Sequence, residues 1–477
     1  MIGITSYAAY IPWYRISKAK MAETTGFLTK SSPPGERSVA NLNEDSVTMA
    51  TNSASYCIEG LDRNKIDGLY FATTSQSYLV RQHASIVSTA LDLREDIRAA
   101  DFTTSSKAGT SALLNALDAV KAGSLNNVLV SAADCRKVEP ANPQEFTYGD
   151  GAAAFLVGKD DVIATLEGSY SLSVDFMDRW HTVVEKFERA SEDRWIRDEG
   201  YEKLVPAAIN GLLSKLNLTM KDISKLVFCY PGRHAALAKK LGADPAQVQD
   251  NLIDKVGDTG AAYPLMMLVG ALEEAKPGDK ILVASFGQGA DVLLFKVTDN
   301  ITRMKNKRGI KESLARKKDL DSWAKFASIR DVVAFYQGPP KTPLFTSHSM
   351  LWRERKELAA LCGFKCKKCG TVQYPPRRTC VNPDCKAIDQ MENYRLSDKK
   401  GKIFTYTVDH NIDNAMPPSI DGFIDFDGGG RIRMTITDVD PADLKVGMPV
   451  EMTYRRKHVE ETRGIIVYYW CATPARS

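Results

Sequence analysis

A pattern of buried helix, strand, glycine turn and second strand occurs twice in this chain, and that repeat limits the possible folds more than any other feature. Residues 112–120 have the apolar density of a buried helix that stops at Gly123, and residues 128–131 follow as an apolar strand. The second copy has a helix over 265–272, a stop at Pro277-Gly278 and a strand over 281–285. Each copy then runs through a glycine turn, Gly149-Asp150-Gly151 or Gly287-Gln288-Gly289, into a further apolar strand. Helices apolar on all sides need cover on all sides, which suits two central helices held between sheets. The expected fold class is α/β, built from two βα-rich halves spanning 1–165 and 166–300.

Residues 301–340 are rich in Lys and Arg, including Lys305, Lys307, Arg308, Lys311, Arg316, Lys317 and Lys318, and poor in large apolar side chains. They read as a basic connector, either a solvated helix with a charged face or a contact for phosphate or a partner. Gly338-Pro339-Pro340 breaks the chain before a third unit. From Lys402 onward residues alternate in short runs, as in 404–408, 432–436 and 465–469, which predicts a small β-barrel over 396–477. A helix and a metal-binding segment are expected before it, over 341–395. Lys and Arg total 63 against 59 Asp and Glu; the resulting charge of +4 gives no support to wholesale nucleic-acid or membrane binding. Met1 leads directly into the strand-like Ile2-Gly3-Ile4-Thr5 and no apolar run reaches membrane-spanning length, so a cytosolic location is expected.

Nine cysteines in a chain of 477 residues are too few for a disulfide scaffold, and four of them crowd into Cys366-x2-Cys369 and Cys380-x4-Cys385. Two such knuckles deliver two sulfurs each to one tetrahedral ion, so Cys366, Cys369, Cys380 and Cys385 are expected to bind a structural zinc. A redox dithiol fits poorly, because the two knuckles leave no resolving partner. Cys362 is expected to lie outside the set.

Several motifs carry a resemblance: Asn43-Glu44-Asp45-Ser46-Val47-Thr48-Met49-Ala50, Lys107-Ala108-Gly109-Thr110, Tyr148-Gly149-Asp150-Gly151-Ala152-Ala153, Lys239-Lys240-Leu241-Gly242 and Ser285-Phe286-Gly287-Gln288-Gly289-Ala290. Through them residues 1–335 resemble the HMG-CoA synthases of the thiolase superfamily. The resemblance implies a thiolase fold, with duplicated αβαβα halves in five layers, a homodimer, and acyl-CoA bound between the halves. In that family a cysteine stands where this chain has Ser106. A thiol at a helix N-terminus ionises readily beside the positive end of the helix dipole, whereas a hydroxyl needs a base within hydrogen-bond reach. The resemblance also puts Cys229 at the family's histidine, Thr74 near its glutamate and Asp258 at its asparagine. An anionic Asp258 opposes a developing oxyanion unless it is protonated. Cys229 follows an apolar strand and reads as a small buried thiol, or else as a second nucleophile, and Cys135 reads as a packed thiol. His234 is either an ordinary helix-start residue or a base for Ser106, while His83 and His181 are expected in loops without recognisable partners.

Trp352, the Cys366-Lys367-Lys368-Cys369-Gly370 knuckle, Tyr374-Pro375-Pro376-Arg377 and Val446-Gly447-Met448-Pro449-Val450 resemble the rubredoxin-like zinc ribbon and OB fold that accompany many thiolases and HMG-CoA synthases. Such modules imply subunit bridging and a share in CoA binding. Lys107, Gly287, Gly289 and Arg377 are the candidate CoA or acyl contacts. Lys365, Lys367, Lys368 and Arg378 join Arg377 either as phosphate ligands or as solvation of the ribbon. The expected function is a degenerate HMG-CoA-synthase-like subunit of an acyl-CoA thiolase or acyltransferase complex, in which a thiolase-type partner supplies the reactive cysteine. Two alternatives remain: a stand-alone acyltransferase or condensing enzyme acting through Ser106, and an OB-fold nucleic-acid or scaffold protein.

Overall fold

The computed structural model describes residues 1–29, 33–229, 234–304, 308–336, 345–412 and 416–476. The chain divides into two compact units. The first comprises Met1–Asn41, Asp45–Ile86 and Leu93–Ala334, and the second comprises Phe335–Ser477 with the short segments Leu42–Glu44 and Val87–Asp92.

The first unit is organised by β1 (Gly3–Tyr10), β2 (Gly68–Ala72), β3 (Arg98–Phe102), β4 (Val128–Asp134), β5 (Gly151–Gly158), β6 (Ala164–Ser173), β7 (Lys225–Phe228), β8 (Lys280–Phe286) and β9 (Gly289–Val297). They lie in the order β7-β8-β9-β6-β1-β5-β4-β2-β3. The repeat is visible in this order. In the first half β2 and β4 pair in parallel and β5 runs antiparallel between β4 and β1. In the second half β7 and β8 pair in parallel and β9 runs antiparallel between β8 and β6. Val248, which bridges Leu226 in parallel, takes the place that β3 has in the first half. Within the sheet the halves join where Gly3 and Ile4 of β1 pair with Thr165 and Ala164 of β6.

Helix α1 (Ser46–Cys57) starts where the sequence motif sets it. Thr48 N donates to Asp45 Oδ1 at 2.9 Å, and Asp45 N donates back to Thr48 Oγ1 at 2.8 Å. The two repeat helices are α2 (Ala108–Lys121) and, beyond α3 (Glu202–Leu216), α4 (Tyr263–Glu274). All of Tyr263 to Leu272 is buried, as its unbroken apolar character requires. The expectation of all-round cover does not hold for α2: Asn115 and Asp118 are exposed and Ser111 half-buried, because these polar residues recur at helical spacing and leave one face to solvent.

The basic stretch expected to be a connector belongs instead to the first unit as far as Ala334. Ile310 joins the main apolar core, Lys318–Asp319 pairs in parallel with Tyr14 and Arg15, and α5 (Trp323–Ile329) buries Phe326, Ala327 and Ile329. One apolar residue per turn was enough to seat these segments, while the lysines point outward. Lys305, Lys307 and Gly338-Pro339-Pro340 lie outside the described residues.

In the second unit, β10 (Cys362–Cys366), β11 (Val372–Gln373) and β12 (Met391–Arg395) form a three-stranded sheet in the order β11-β10-β12. It is followed by β13 (Gly401–Asp409), β14 (Ser419–Phe426), β15 (Arg431–Thr435), β16 (Pro449–Glu460) and β17 (Ile465–Pro474), ordered β15-β14-β13-β16-β17. A parallel bridge from Ile436, just past β15, to Ala472 of β17 closes this sheet, the strand connectivity of an OB barrel.

Candidate active site

Ser106 lies half-buried in the turn that opens α2, and among the described residues its hydroxyl has no hydrogen-bond partner. The neighbouring turn shows why glycine stands at 287. A Cβ there would come within 2.7 Å of Ser105 Oγ and 3.0 Å of Ser106 N. Ser105 Oγ donates to Gly287 O at 3.0 Å, fixing the two turns together. Gly289 takes φ +115, and a side chain there would strike Leu172 O. The structure thus accounts for both glycines as packing requirements. Lys107, a candidate CoA or acyl contact, is turned onto the buried Asp291 carboxylate, with Nζ 3.0 Å from Oδ1, and Ser111 Oγ donates to Oδ2 of the same group.

On the other side of α2, Gly109 packs so closely on Ala261 that a Cβ would lie 2.1 Å from its carbonyl oxygen. This brings up the turn that carries Asp258. Arg136 Nη2 lies 2.9 Å from Asp258 Oδ1 and Arg179 Nη1 lies 3.0 Å from Oδ2, while Gly260 N donates to Oδ1. Burial would raise this carboxyl, but the two guanidinium groups outweigh it and hold the group at about 2. Asp258 is therefore an ion already paired twice, neither an oxyanion donor nor a proton source. Tyr148 lies beneath the same arginines, its ring centroid 3.7 Å from Arg136 Cζ, and its hydroxyl donates to Glu188.

Thr74 is also engaged. Its Oγ1 donates to Asp134 Oδ2 at 2.8 Å and its N to Oδ1 at 2.7 Å. Thr73 Oγ1, Ser75 N, Ser75 Oγ and Ala261 N complete the donors around this fully buried carboxylate at the end of β4. Cys229 is buried at the end of β7; burial and the charge of Asp258 push its thiol well up. Cys135 is half-buried, and burial raises its thiol as well.

The sequence positions 74, 106 and 258 are thus gathered through Asp134, Gly260-Ala261 and Gly287, while Cys229 bonds through its N to Ala284 O, and no base reaches Ser106 among the described residues. His83 differs from expectation: it opens a helix, is buried, and has partners. Its Nδ1 lies 2.9 Å from Asp101 Oδ2, and Nε2 accepts from Tyr78 N. His181 is exposed, with Nε2 2.6 Å from Glu185 O. His234 opens a short helix, and its side chain, like residues 230–233, lies outside the described residues. Sequence reasoning missed Asp134, Arg136, Arg179 and Glu188, and took Tyr148 only as part of a motif. The available signal was a charge set inside apolar strand sequence, as in Ala132-Ala133-Asp134-Cys135-Arg136.

In the second unit the Sγ atoms of Cys366, Cys369, Cys380 and Cys385 all lie within 4.8 Å of one another, with 3.9 Å between Cys366 and Cys385 and 3.5 Å between Cys369 and Cys380. Cys362 is buried separately in β10. Arg377 is exposed and donates to Pro376 O, and Arg378 is paired in bidentate fashion with Asp389.

Comparison with known proteins agrees with this architecture. Residues 213–293 match the family model "3-Oxoacyl-[acyl-carrier-protein (ACP)] synthase III C terminal", and residues 394–455 match "ChsH2, C-terminal OB-fold domain". The solved structure of an HMG-CoA synthase complexed with CoA superposes with a TM-score of 0.57 at 21% identity, covering 67% of this chain and 88% of that one. A 3-oxoacyl-[acyl-carrier-protein] synthase III from Aquifex aeolicus also gives 0.57 at 21% identity, over 62% of this chain and 100% of that one. The fold is that of the thiolase-type synthases, with an OB-fold domain appended. Among curated relatives, the hydroxymethylglutaryl-CoA synthase of Methanopyrus kandleri is 32% identical over 345 residues, 70% of this chain and 98% of the relative. That of Pyrococcus horikoshii is 31% identical over 338 residues, 69% and 96%. The chain belongs to the hydroxymethylglutaryl-CoA synthase family.

Proposed function

We propose that this chain is an accessory member of that family: it binds an acyl-CoA thioester and helps to assemble an acyl-transfer complex, while a thiolase-type partner chain supplies the reactive cysteine. The observation that carries this reading is Ser106, a hydroxyl at the head of α2 with no base against it among the described residues. A serine without a base remains a poor nucleophile at neutral pH. The other family positions support the same reading, since Thr74 is bonded to Asp134 and Asp258 to two arginines. Coenzyme A is the ligand expected from the relatives, and bound there it would present its thioester carbonyl to the head of α2.

A homodimer accords with β3, which ends the sheet and is only partly buried. The four thiolates fit zinc: Zn–S bonds of about 2.3 Å in a tetrahedron put sulfurs about 3.8 Å apart, close to the spacing found. Zinc there supplies a crosslink with no open coordination position. No helix among the described residues is long and apolar enough to cross a membrane, and a cytoplasmic location is part of this proposal.

The test is to incubate the purified chain with acetyl-CoA and acetoacetyl-CoA, alone and with a thiolase that has its own reactive cysteine. The chain alone should give neither condensation nor thiolysis, and peptide mass mapping should find residue 106 unmodified. Acylated Ser106 in the lone chain, with turnover lost in Ser106→Ala, would establish the stand-alone enzyme instead.

A further inference from the structure

Residues 174–191 leave the end of β6 as an irregular strap folded into a short hairpin, Arg179–Trp180 against Arg189–Ala190. Its outgoing limb is fastened to the turn that packs on Ser106. Val174 N donates to Gln288 O at 3.2 Å, and Gln288 Nε2 donates to Asp178 Oδ1 at 2.8 Å. One residue further on, Arg179 reaches Asp258. The returning limb is held by Glu188, whose carboxylate accepts from Tyr148 and whose N donates to Lys137 O. Between these anchors the tip has little support: Val183 is 76% and Val184 88% exposed, and Lys186 makes an exposed pair with Asp331. The strap is thus pinned by polar contacts to the two turns that flank Ser106, with little apolar packing past Phe176. Segments held this way open locally at much lower cost than a core strand.

We propose that the strap is a gate over the thioester site, with Arg179–Asp258 and Asp178–Gln288 as its latches. The carboxylate at 258 then serves to hold the strap shut and does not touch the substrate. Cys229, buried at the end of β7 beside β8, is expected to become accessible when the gate opens. The gate rests on the proposed reading of this region as the thioester site.

The experiment is the rate of Cys229 alkylation by N-ethylmaleimide, followed by peptide mapping, with the fully buried Cys57 as the reporter of global unfolding. Arg179→Ala and Gln288→Ala should each raise the Cys229 rate roughly tenfold with Cys57 unchanged, and Arg179→Lys should retain most of the protection. Removing Arg179 also weakens the unit as a whole, so hydrogen exchange of the unmodified protein is the second measurement, and it decides if Cys57 accelerates in step. Residues 174–191 should exchange faster than β4 and slow when acetyl-CoA is added. Unchanged Cys229 rates in both variants, or a strap that exchanges as slowly as β4, overturn the gate. Faster alkylation in the variants with no effect of acetyl-CoA keeps the gate and removes the thioester reading; protection by acetyl-CoA without any effect of the variants does the reverse.

Discussion

Burial alone would drive the Asp258 carboxyl up, yet Arg136 and Arg179 hold it at about 2. The folded value lies below the unfolded one of about 3.9, so its stabilisation is complete above the unfolded value and drains away as pH falls toward 2. Asp258→Asn leaves two guanidinium groups facing a neutral amide, and breaking a buried pair of this kind costs about 3–5 kcal/mol. Urea titration at neutral pH should show that loss, and the variant should lose less further stability than the native chain between pH 4 and pH 2, that is, about two units of acidification. A variant as stable as the native chain would mean that the arginines find other partners. Ser106→Cys makes a different prediction. The helix head should give a thiol that iodoacetamide alkylates, but no condensation of acetyl-CoA with acetoacetyl-CoA, because the family resemblance puts Cys229 at the position of its histidine. Turnover by that single variant would show that the surrounding groups still form a working site.

The elements that position the site were legible in sequence to different degrees. α4 and β8 announce themselves as uninterrupted apolar runs, and the structure buries both almost completely. α5 did not, since only Phe326, Ala327 and Ile329 of its residues are buried, and seven residues are too few for a periodic signal. That difference is measurable: Phe326→Ala should destabilise the first unit by about 3–5 kcal/mol, the cost of a core phenylalanine, where a connector residue would cost less than 0.5, roughly. The cysteine cluster was readable because its four members are close in sequence. The Arg136–Asp258–Arg179 set was not, because its members come from three segments 43 or more residues apart and meet only after the sheet has formed (179 minus 136 is 43, and 258 minus 179 is 79). The resemblance offered expectations for positions 106, 229 and 258, but it could not give the bonding partners of Asp258.

At the scale of the whole molecule, the second unit joins two parts with unequal means of holding themselves together. The barrel has an apolar interior of its own, including Ile403, Ile424, Met434, Val450, Met452 and Trp470, and its strands close on each other through Ile436 and Ala472. The ribbon has a three-stranded sheet with few buried apolar side chains, chiefly Cys362, Val372 and Leu396, far short of what a segment this small needs to fold alone. In the proposed zinc-bound state its four cysteines supply the missing free energy, so that metal binding and ribbon folding become one equilibrium. Elemental analysis of the purified chain should find one zinc per polypeptide. Chelation should then abolish hydrogen-exchange protection across β10, β11 and β12 while leaving β16 and β17 protected, and Cys380→Ser should reproduce the chelated state without chelator. Persistence of the ribbon's protection after complete metal removal would show that the cysteine cluster is held by its packing alone.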